Sequence, residues 1–333
     1  METILIVSDN LPTSINGVVT TYKSIEKCAI NRGYNFVYLD PTSFKHFSAP
    51  TYPEVKLSIP WGIGRKILKV NPTYIHISTE GPVGWAAKIW CDLKGIKYTT
   101  AYHTKFPEYI QEKFRIPVSI TYGILRIFHK FSRRVLVTNS SMVSELKHRG
   151  FSNLVVWSRG VDQSGFNPAG RVANLASKPV LLCVSRASPE KGLDDFCALK
   201  TTGTKLLVGD GPYLEYLKKT YPDVIYVGYK QGEKLRHYYA NADVFVFPSK
   251  SDTFGVVMIE SMACGTPVAA YPVTGPIDVI VPGINGVLHD DLSVAIKGAL
   301  MLDRGKVAAS SKEFSWDSCT TIFESNLVKI PVQ

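Results

Sequence analysis

Two short segments of the chain combine residue types that can bind a phosphate group. Segment 184–192 places Arg186 and Lys191 between a predicted strand and a predicted helix. Segment 251–265 runs from a turn into a second predicted helix, with Gly255 near its start. An isolated Arg or Lys usually only supports its own loop. Backbone N–H groups in the first turn of a helix, however, lack partners and favour an anion, so the two segments together predict a phosphate site.

The second segment adds groups that could meet a sugar. Gly255 lets another molecule approach the backbone closely. Asp252 lies before the predicted helix and Glu260 lies on it, eight residues further along the chain. One carboxylate could meet a sugar and the other a ribose, although two acids at this spacing carry no information by themselves. The helix-start amides expected to be unpaired are those of Phe254, Gly255, Val256 and Val257.

Several familiar nucleotide and metal motifs are absent from the sequence. Residues 209–214 begin the G-x-G-x-x-G pattern of dinucleotide-binding domains, but Leu214 stands where the last glycine belongs. There is no G-x-x-x-x-G-K-[ST] loop, and no Asp-x-Asp to hold a metal on a nucleotide diphosphate. The cysteines form no Cys-x-x-Cys or Cys/His cluster. These absences argue against a dinucleotide-binding domain and a P-loop nucleotidase, and they remove one familiar way of holding a divalent metal.

The net charge is distributed unevenly along the chain. The 333 residues carry 38 Lys and Arg against 28 Asp and Glu, a formal net charge of +10. Residues 1–160 hold 21 basic against 10 acidic side chains, whereas residues 161–333 hold 17 against 18. The basic half predicts a phosphate-bearing molecule or an anionic membrane as partner. No apolar run is long enough to span a bilayer, and the N-terminus has the pattern of a strand and not of a signal peptide.

Short β-branched or aromatic runs alternate with helical segments, which predicts parallel sheets covered by helices. In the first half the predicted strands are 3–9, 36–40, 74–78, 98–103 and 135–139, and the predicted helices are 17–32, 81–94, 117–131 and 140–149. Gly33, Gly95 and Gly150 stand where a left-handed residue ends a helix. The strands predicted in the second half are 180–185, 205–208, 224–227, 244–247 and 268–270.

The fold class that follows is α/β, with two Rossmann-like, doubly wound parallel-sheet domains in series. A Gly- and Pro-rich stretch at 159–179 predicts the linker. The predicted domains are 1–165 and 166–315, followed by a helix at 316–333 that could pack back onto the first domain. The short segment 193–204 predicts a trimmed helix. Ligands of open α/β sheets bind outside the carboxyl ends of the strands, so we expect the chemistry in those loops.

Taken together, the motifs resemble the retaining glycosyltransferases of family 4, also called group 1. In that family two Rossmann-like domains face each other across a cleft, in the arrangement called GT-B. The resemblance covers essentially the whole chain, and its carriers in the second half are 184–192, 207–212, 242–249, 252–267 and 274–286. It implies that domain 1–165 holds the acceptor and that domain 166–315 binds a nucleotide-sugar donor. It also implies that neither a metal nor a cofactor is required.

The resemblance also implies roles for single residues. Arg186 and Lys191 would bind the donor diphosphate in place of a metal. Asp252 and Glu260 would occupy the family's E-x7-E motif, with Glu260 on the ribose. Aspartate at the first of these positions departs from the more usual glutamate and shortens its reach by one methylene. The further donor-binding residues would be Thr253 with the amides that follow it, and Gly228 and Tyr229 beside the nucleobase.

Three motifs of the first half, at 76–82, 102–109 and 156–162, resemble a narrower subgroup. It contains bacterial GDP-mannose-dependent α-mannosyltransferases and plant-type sulfoquinovosyltransferases, which build glycolipids. By this resemblance His103 would contact the donor sugar or the reacting centre. Gly17, between Asn16 and Val18, would approach the diphosphate. The implied partners are a GDP- or UDP-linked sugar and a lipid or glycan acceptor, and not nucleic acid.

Residues 105–134 form a basic stretch, with seven Lys and Arg against two Glu, interleaved with aromatic and aliphatic residues. A stretch of this kind can lie on an anionic membrane, and an ordinary helix with a solvated charged face explains it about equally well. The lipid acceptors of the subgroup favour the membrane. We therefore expect a cytoplasmic protein that is peripheral at the inner face of a membrane.

The expected reaction is transfer of a hexose, preferably mannose from GDP-mannose, with retention onto a lipid or glycan hydroxyl. Alternatives remain open at this point. A UDP-sugar-dependent glycolipid glycosyltransferase or a sugar-nucleotide 2-epimerase would use the same phosphate site. An NAD-dependent oxidoreductase would need the missing glycine pattern. A basic nucleic-acid-binding protein would explain the charged half but not residues 252–265.

Overall fold

The computed structural model describes residues 1–13, 16–49, 52–172 and 179–331. It contains two six-stranded sheets of parallel strands, each covered by helices. The chain divides into two units. The first comprises Met1–Ser158 together with Trp316–Gln333, and the second comprises Arg159–Ser315. The predicted pair of doubly wound parallel α/β sheets is therefore confirmed.

The sheet of the first unit has the strand order β2-β1-β5-β6-β7-β8, and a separate antiparallel hairpin pairs β3 with β4. Its strands are β1 (Glu2–Val7), β2 (Tyr34–Leu39), β3 (Lys45–Ala49), β4 (Tyr52–Ile59), β5 (Tyr74–Ile77), β6 (Thr99–Tyr102), β7 (Val135–Val137) and β8 (Leu154–Val156). Its helices are α1 (Gly17–Ile30), α2 (Ile63–Val70), α3 (Pro82–Lys94), α4 (Phe106–Phe114), α5 (Val118–His129), α6 (Ser140–His148) and, near the end of the chain, α14 (Trp316–Asn326).

The sheet of the second unit has the order β11-β10-β9-β12-β13-β14, with all pairs parallel. Its strands are β9 (Val180–Val184), β10 (Thr204–Val208), β11 (Ile225–Gly228), β12 (Val244–Phe247), β13 (Val268–Ala270) and β14 (Gly286–Leu288). Its helices are α7 (Leu193–Cys197), α8 (Leu214–Thr220), α9 (Gly232–Asn241), α10 (Val256–Ala263), α11 (Pro276–Val279), α12 (Leu292–Ala299) and α13 (Arg304–Ser310). Helix α7 is the short helix that was predicted in segment 193–204.

Most predicted elements form at the predicted places, with ends that differ by one or two residues. Gly33, Gly95 and Gly150 have φ angles of 90°, 65° and 81°, so the three helix ends are confirmed. Both sheets are covered on each face by buried clusters of aliphatic and aromatic side chains. None of the described helices combines the length and the apolar character needed to cross a membrane.

Part of the predicted linker is wrong. Residues 173–178 of the stretch 159–179 lie outside the described residues, but its first residues are packed into the second unit. Arg159 and Val161 are buried. The Val161 amide donates to the Phe314 carbonyl at 2.9 Å, and Val161 bridges to Ser315. The Gly and Pro content concealed this pairing, because a backbone bridge of one residue leaves no periodic pattern in the sequence.

Helix α14 packs on the first unit. The ring of Phe323 lies 5.3 Å from that of Trp157, and the Trp157 indole N–H donates to the Cys319 carbonyl at 3.0 Å. Arg32, at the end of α1, forms an ion pair with Glu324 at 2.8 Å. The last helix therefore completes the core that lies beside α1.

Gly209, directly after β10, has a φ of 145°, and a Cβ atom there would lie 1.8 Å from the Ser185 carbonyl oxygen. We expect Gly209→Ala to lower the free energy of unfolding by about 2–3 kcal/mol, because overlap adds to backbone strain. The measurement is urea denaturation of both proteins. Gly283→Ala is the control. Gly283 also has a positive φ, of 80°, but no non-neighbouring heavy atom of the residues that the structure describes lies within 4 Å of its Cβ position. Equal losses in the two variants would contradict the steric argument.

Candidate active site

The loops that follow adjacent parallel strands meet at the carboxyl edge of the second sheet. The loop after β9 contacts the loop after β10, where the Ala187 amide donates to the Asp210 carbonyl at 2.8 Å. It also contacts the loop after β12, where the Ser251 hydroxyl donates to the Glu190 carbonyl at 2.9 Å. The two segments that the sequence singled out are thus joined at one edge, although they lie far apart along the chain.

Arg186 lies in the loop after β9 and its side chain is 54% exposed. One of its Nη atoms donates to the Glu190 carboxylate at 2.7 Å, and the Ser188 hydroxyl donates to the same oxygen at 2.6 Å. Burial opposes ionisation of Glu190, but these hydrogen bonds and the Arg186 charge prevail and lower its pKa below the ordinary value. Glu190 is therefore ionised, and its carboxylate holds the Arg186 guanidinium.

Lys191 and Asp252 form a direct ion pair. The Lys191 Nζ lies 2.5 Å from Asp252 Oδ1, and both side chains are about three-quarters buried. Gly192 follows with a φ of 63°, and its Cα approaches so closely that a Cβ would lie 2.7 Å from the Pro248 carbonyl oxygen. The sequence identified both charged residues but did not predict that they would bind each other.

Helix α10 begins beside this ion pair. Gly255 precedes it with a φ of 80°, and a Cβ there would lie 2.8 Å from the Phe247 ring. Thr253 and Phe254 are buried, while Val256 and Val257 are half-buried and pack on the core. Among the described residues, no acceptor is bound by the backbone amides of 254–257. The helix predicted here does begin at the expected place, at Val256, and the binding of an anion by its first amides stays a prediction.

Glu260 lies one turn further along α10. The buried Tyr239 hydroxyl donates to its carboxylate at 2.9 Å. Burial raises the pKa of Glu260 to about 7, and the bond from Tyr239 opposes the rise only in part. Tyr239 was not predicted, because nothing in the sequence connects a tyrosine of α9 with an acid of α10.

The residues predicted to lie beside a nucleobase are at the end of β11. Gly228 has a φ of 75°, and in the described part of the chain no heavy atom beyond its neighbours lies within 4 Å of its Cβ position. Its carbonyl accepts the Gly209 amide at 3.1 Å. The Tyr229 side chain is exposed, and its hydroxyl donates to Gln231 at 3.1 Å. Since β11 is the edge strand beyond β10, these residues lie at the margin of the loop cluster.

His103 and Gly17 belong to the first unit. His103 is the first residue after β6, and its Nε2 lies 3.1 Å from the Tyr22 hydroxyl. Gly17 is the first residue of α1, and Asn16 caps that helix by accepting the Val19 amide at 3.0 Å. No heavy atom of the described residues lies within 4 Å of the Gly17 Cβ position, chain neighbours aside.

The described residues contain no group of three or more His, Cys, Asp or Glu side chains that could hold a metal ion. The functional candidates that sequence reasoning missed are the partners of the predicted residues. Glu190 lies in segment 184–192, four residues after Arg186, and this spacing could have suggested that the two side chains pair. For Tyr239 no such signal exists.

The structure resembles solved glycosyltransferases along nearly its whole length. Sucrose-phosphate synthase from Thermosynechococcus elongatus matches with a TM-score of 0.78 over 98% of both chains at 20% identity. The Anabaena protein HepE, solved with UDP and glucose, matches with a TM-score of 0.69 over 98% of this chain and 99% of its own at 16% identity. At these identities the likeness concerns the fold, which is the GT-B fold.

Two family models match the sequence. Residues 17–164 match Glycosyltransferase Family 4, and residues 178–301 match Glycosyl transferases group 1. The chain therefore belongs to the family 4 glycosyltransferases, and the suspected family is confirmed.

Three curated relatives carry the names of sugar transferases. The GDP-mannose-dependent alpha-mannosyltransferase of Corynebacterium glutamicum is 27% identical over 86% of this chain and 76% of its own length. The sulfoquinovosyl transferase of Arabidopsis thaliana is 32% identical over 71% of this chain and 50% of its own length. A GDP-mannose-dependent alpha-mannosyltransferase of Mycobacterium tuberculosis is 28% identical over 67% of this chain and 62% of its own length. The matches thus span between half and about three-quarters of these relatives.

The raised pKa of Glu260 predicts a pH-dependent stability. Between the ordinary value of 4.5 and about 7 the folded state binds more protons than the unfolded state, so stability falls as pH rises through this window. Glu260→Gln removes the charge, and its free energy of unfolding relative to the natural protein should rise by on the order of 1 kcal/mol from pH 5 to pH 8. Urea denaturation at both pH values measures this difference. The exposed Glu233→Gln is the control, and an equal pH-dependent change there would refute the assignment.

Proposed function

We propose that the protein is a retaining glycosyltransferase that moves a hexose, mannose from GDP-mannose, onto a hydroxyl of a lipid or glycan without a metal. One observation carries the proposal: Arg186, Lys191 and the start of α10 converge at the carboxyl edge of one sheet. The names of two mannosyltransferase relatives support the choice of donor. The family supplies the class of reaction.

The two cations would bind the donor diphosphate. A lysine ammonium has three N–H donors and a guanidinium has five, so the single bonds to Asp252 and Glu190 leave further donors for phosphate oxygens. The amides at the start of α10 add positive potential beside them. Negative charge develops on the diphosphate as it leaves the sugar, and preorganised donors of this kind stabilise it in the transition state.

The carboxylates and His103 would bind the rest of the donor. Asp252, held by Lys191, would accept a hydrogen bond from a sugar hydroxyl, with Thr253 beside it. Glu260 would accept from the ribose hydroxyls, and Tyr239 fixes its orientation. Gly228 and Tyr229 would contact the base. His103 and Gly17, in the first unit, would contact the sugar and the diphosphate.

Without a covalent intermediate on the protein, retention requires that the acceptor attack from the face that the diphosphate leaves. The bond between the sugar C1 and the phosphate oxygen breaks, and the acceptor oxygen forms the new bond to C1. The acceptor proton passes to a diphosphate oxygen, so no protein nucleophile is needed. The catalytic contribution of the chain is then electrostatic and positional.

Replacing both proposed phosphate ligands tests the proposal. We expect Arg186→Ala with Lys191→Ala to abolish transfer and to remove the thermal stabilisation that GDP gives the natural protein. A ligand at a hundred times its Kd adds about 2.7 kcal/mol of stability, which a thermal-shift measurement detects readily. GDP should stabilise the natural protein more than UDP or ADP does, and GDP-mannose with a lipid acceptor should give an α-linked product.

The control removes two cations of the same types elsewhere in the second unit. Arg171 pairs with Asp243 and Lys218 with Glu215, away from the loop cluster, so Arg171→Ala with Lys218→Ala should leave GDP binding unchanged. Near-normal transfer by the Arg186/Lys191 variant would overturn the proposal. A stronger response to UDP would change the donor, and conversion of the nucleotide sugar without an acceptor would favour an epimerase.

We further propose that α5 of the first unit contacts an anionic membrane. Tyr122, Leu125 and Phe128 of this helix are buried in the core. Its opposite face is also apolar, although it is exposed, and consists of Ile120, Ile124 and Ile127, with exposed Phe131 just after the helix. A helix with apolar residues on both faces normally has both faces covered. Phe106 and Phe114 of α4, and Ile116 after it, are exposed as well.

The charges around this face favour a bilayer over a second copy of the chain. Exposed cations flank the apolar stripe, and segment 105–134 carries seven basic against two acidic side chains. Two copies packed through this face would bring like charges together, whereas anionic headgroups would neutralise them. The exposed flanking cations are Arg115, Arg126, Lys130, Arg133 and Arg134.

Vesicle binding tests the membrane proposal. The natural protein should cosediment with vesicles of phosphatidylcholine and phosphatidylglycerol but not with phosphatidylcholine alone. Ile124→Glu with Ile127→Glu should weaken this binding at least tenfold, because burial of each isoleucine contributes roughly 1.5–3 kcal/mol. Val294→Glu with Met301→Glu adds the same charge at exposed apolar positions of the second unit and should bind like the natural protein. Equal loss in both variants, or a dimer that only the α5 variant disrupts, would contradict the proposal.

A further inference from the structure

Four polar groups of the first unit form a continuous hydrogen-bonded chain that ends at His103. The Thr99 hydroxyl lies 2.8 Å from His76 Nδ1. His76 Nε2 lies 2.7 Å from the Tyr22 hydroxyl, which lies 3.1 Å from His103 Nε2. The groups come from β6, β5, α1 and the loop after β6, so residues from four places in the sequence contribute to one chain of bonds.

The chain of bonds lies in an aromatic environment that excludes water. Thr99 and His76 are fully buried, and Tyr22 is 3% exposed. The rings of Trp157 and Phe323 pack around His76, with centroid separations of 6.3 and 5.0 Å. In such surroundings each hydroxyl and N–H hydrogen has to find a partner, because an unsatisfied buried donor is costly.

The protonation of His76 follows from its burial, which lowers its pKa to about 3. His76 is therefore neutral and carries one ring hydrogen, either on Nδ1 or on Nε2. Among the described residues, His76 is the sole side-chain partner of the Thr99 hydroxyl. If Thr99 uses its hydrogen, it donates to Nδ1, and the hydrogen of His76 is then on Nε2.

The position of this hydrogen gives the direction of the bond between His76 and Tyr22. His76 Nε2–H donates to the Tyr22 oxygen. The Tyr22 hydroxyl then keeps its own hydrogen for another acceptor, and His103 Nε2 lies within hydrogen-bond distance of it. A His103 ring that accepts at Nε2 carries its own hydrogen on Nδ1 when it is neutral. In water a histidine side chain prefers the opposite tautomer, so the protein has to impose this one.

We propose that Tyr22 and His76 are positioning residues, which hold His103 in its Nδ1–H tautomer so that Nδ1 is a hydrogen-bond donor to the sugar. The inference rests on the proposed contact of His103 with the donor sugar. Tyr22 and His76 act through His103 and do not themselves touch the substrate. An N–H group fixed at one ring nitrogen can donate to an oxygen of the sugar at all times. A ring that exchanges between tautomers would present that N–H group only part of the time.

The tautomers can be measured without activity, by nitrogen-15 NMR of protein labelled at histidine. A bare imidazole nitrogen and one that carries hydrogen differ widely in chemical shift, and His76→Gln and His103→Gln identify the two rings. We expect His103 to carry hydrogen on Nδ1 and His76 to carry it on Nε2. The reverse pattern in the natural protein would overturn the inference, and this result requires no variant of Tyr22.

Tyr22→Phe removes the hydroxyl that joins the two rings. We expect His103 to shift toward the Nε2–H tautomer and kcat to fall about tenfold, while KM for the nucleotide sugar changes less than twofold. Tyr38→Phe is the matched control, since that hydroxyl belongs to the same unit but donates to Glu26 at 2.8 Å. Tyr38→Phe should leave the His103 signals and kcat as they are.

Two further outcomes separate this inference from the proposed function. An unchanged His103 tautomer in Tyr22→Phe would overturn the inference even if transfer were slower. Full activity of His103→Gln would refute the contact between His103 and the sugar. The catalytic consequence proposed here would then fail as well. The NMR measurement would still decide which tautomer His103 adopts.

Discussion

The ion pair between Lys191 and Asp252 is the interaction on which the site of the second unit depends. The two residues are 61 positions apart in sequence, but they follow β9 and β12, which are neighbours in the sheet. The pair fixes the loop that carries Arg186 against the turn that begins α10. Because Glu190 likewise pairs with Arg186, an incoming diphosphate would meet a nearly neutral cluster, in which the helix amides supply the remaining positive potential.

The two units hold their polar side chains in different ways. In the second unit the charged groups are partly exposed and paired across loops, so water can replace a partner when a ligand arrives or leaves. In the first unit the groups that lead to His103 are buried and hydrogen-bonded in series. Half-buried charges suit the binding and release of an anion, whereas a buried chain of neutral groups suits the orientation of a single ring.

Much of the fold and the positions of the site could be predicted from sequence, because they depend on local signals. Strand and helix periodicity located both sheets, and glycines marked the ends of three helices. The partners of the site residues could not be predicted. Glu260 with Tyr239, and Lys191 with Asp252, meet only after the helices and loops have packed. The pairing of Val161 with Ser315 was missed for the same reason.

The second unit is an insertion within the first, since the first contains both Met1–Ser158 and Trp316–Gln333. The ends of the insertion lie side by side, where the Val161 amide meets the Phe314 carbonyl. A ribosome completes the sequence of the second unit before it makes α14. The second unit therefore has all its elements while the first still lacks the helix whose Phe323 covers Trp157. The N-terminal half of the polypeptide is then the last to acquire its complete core.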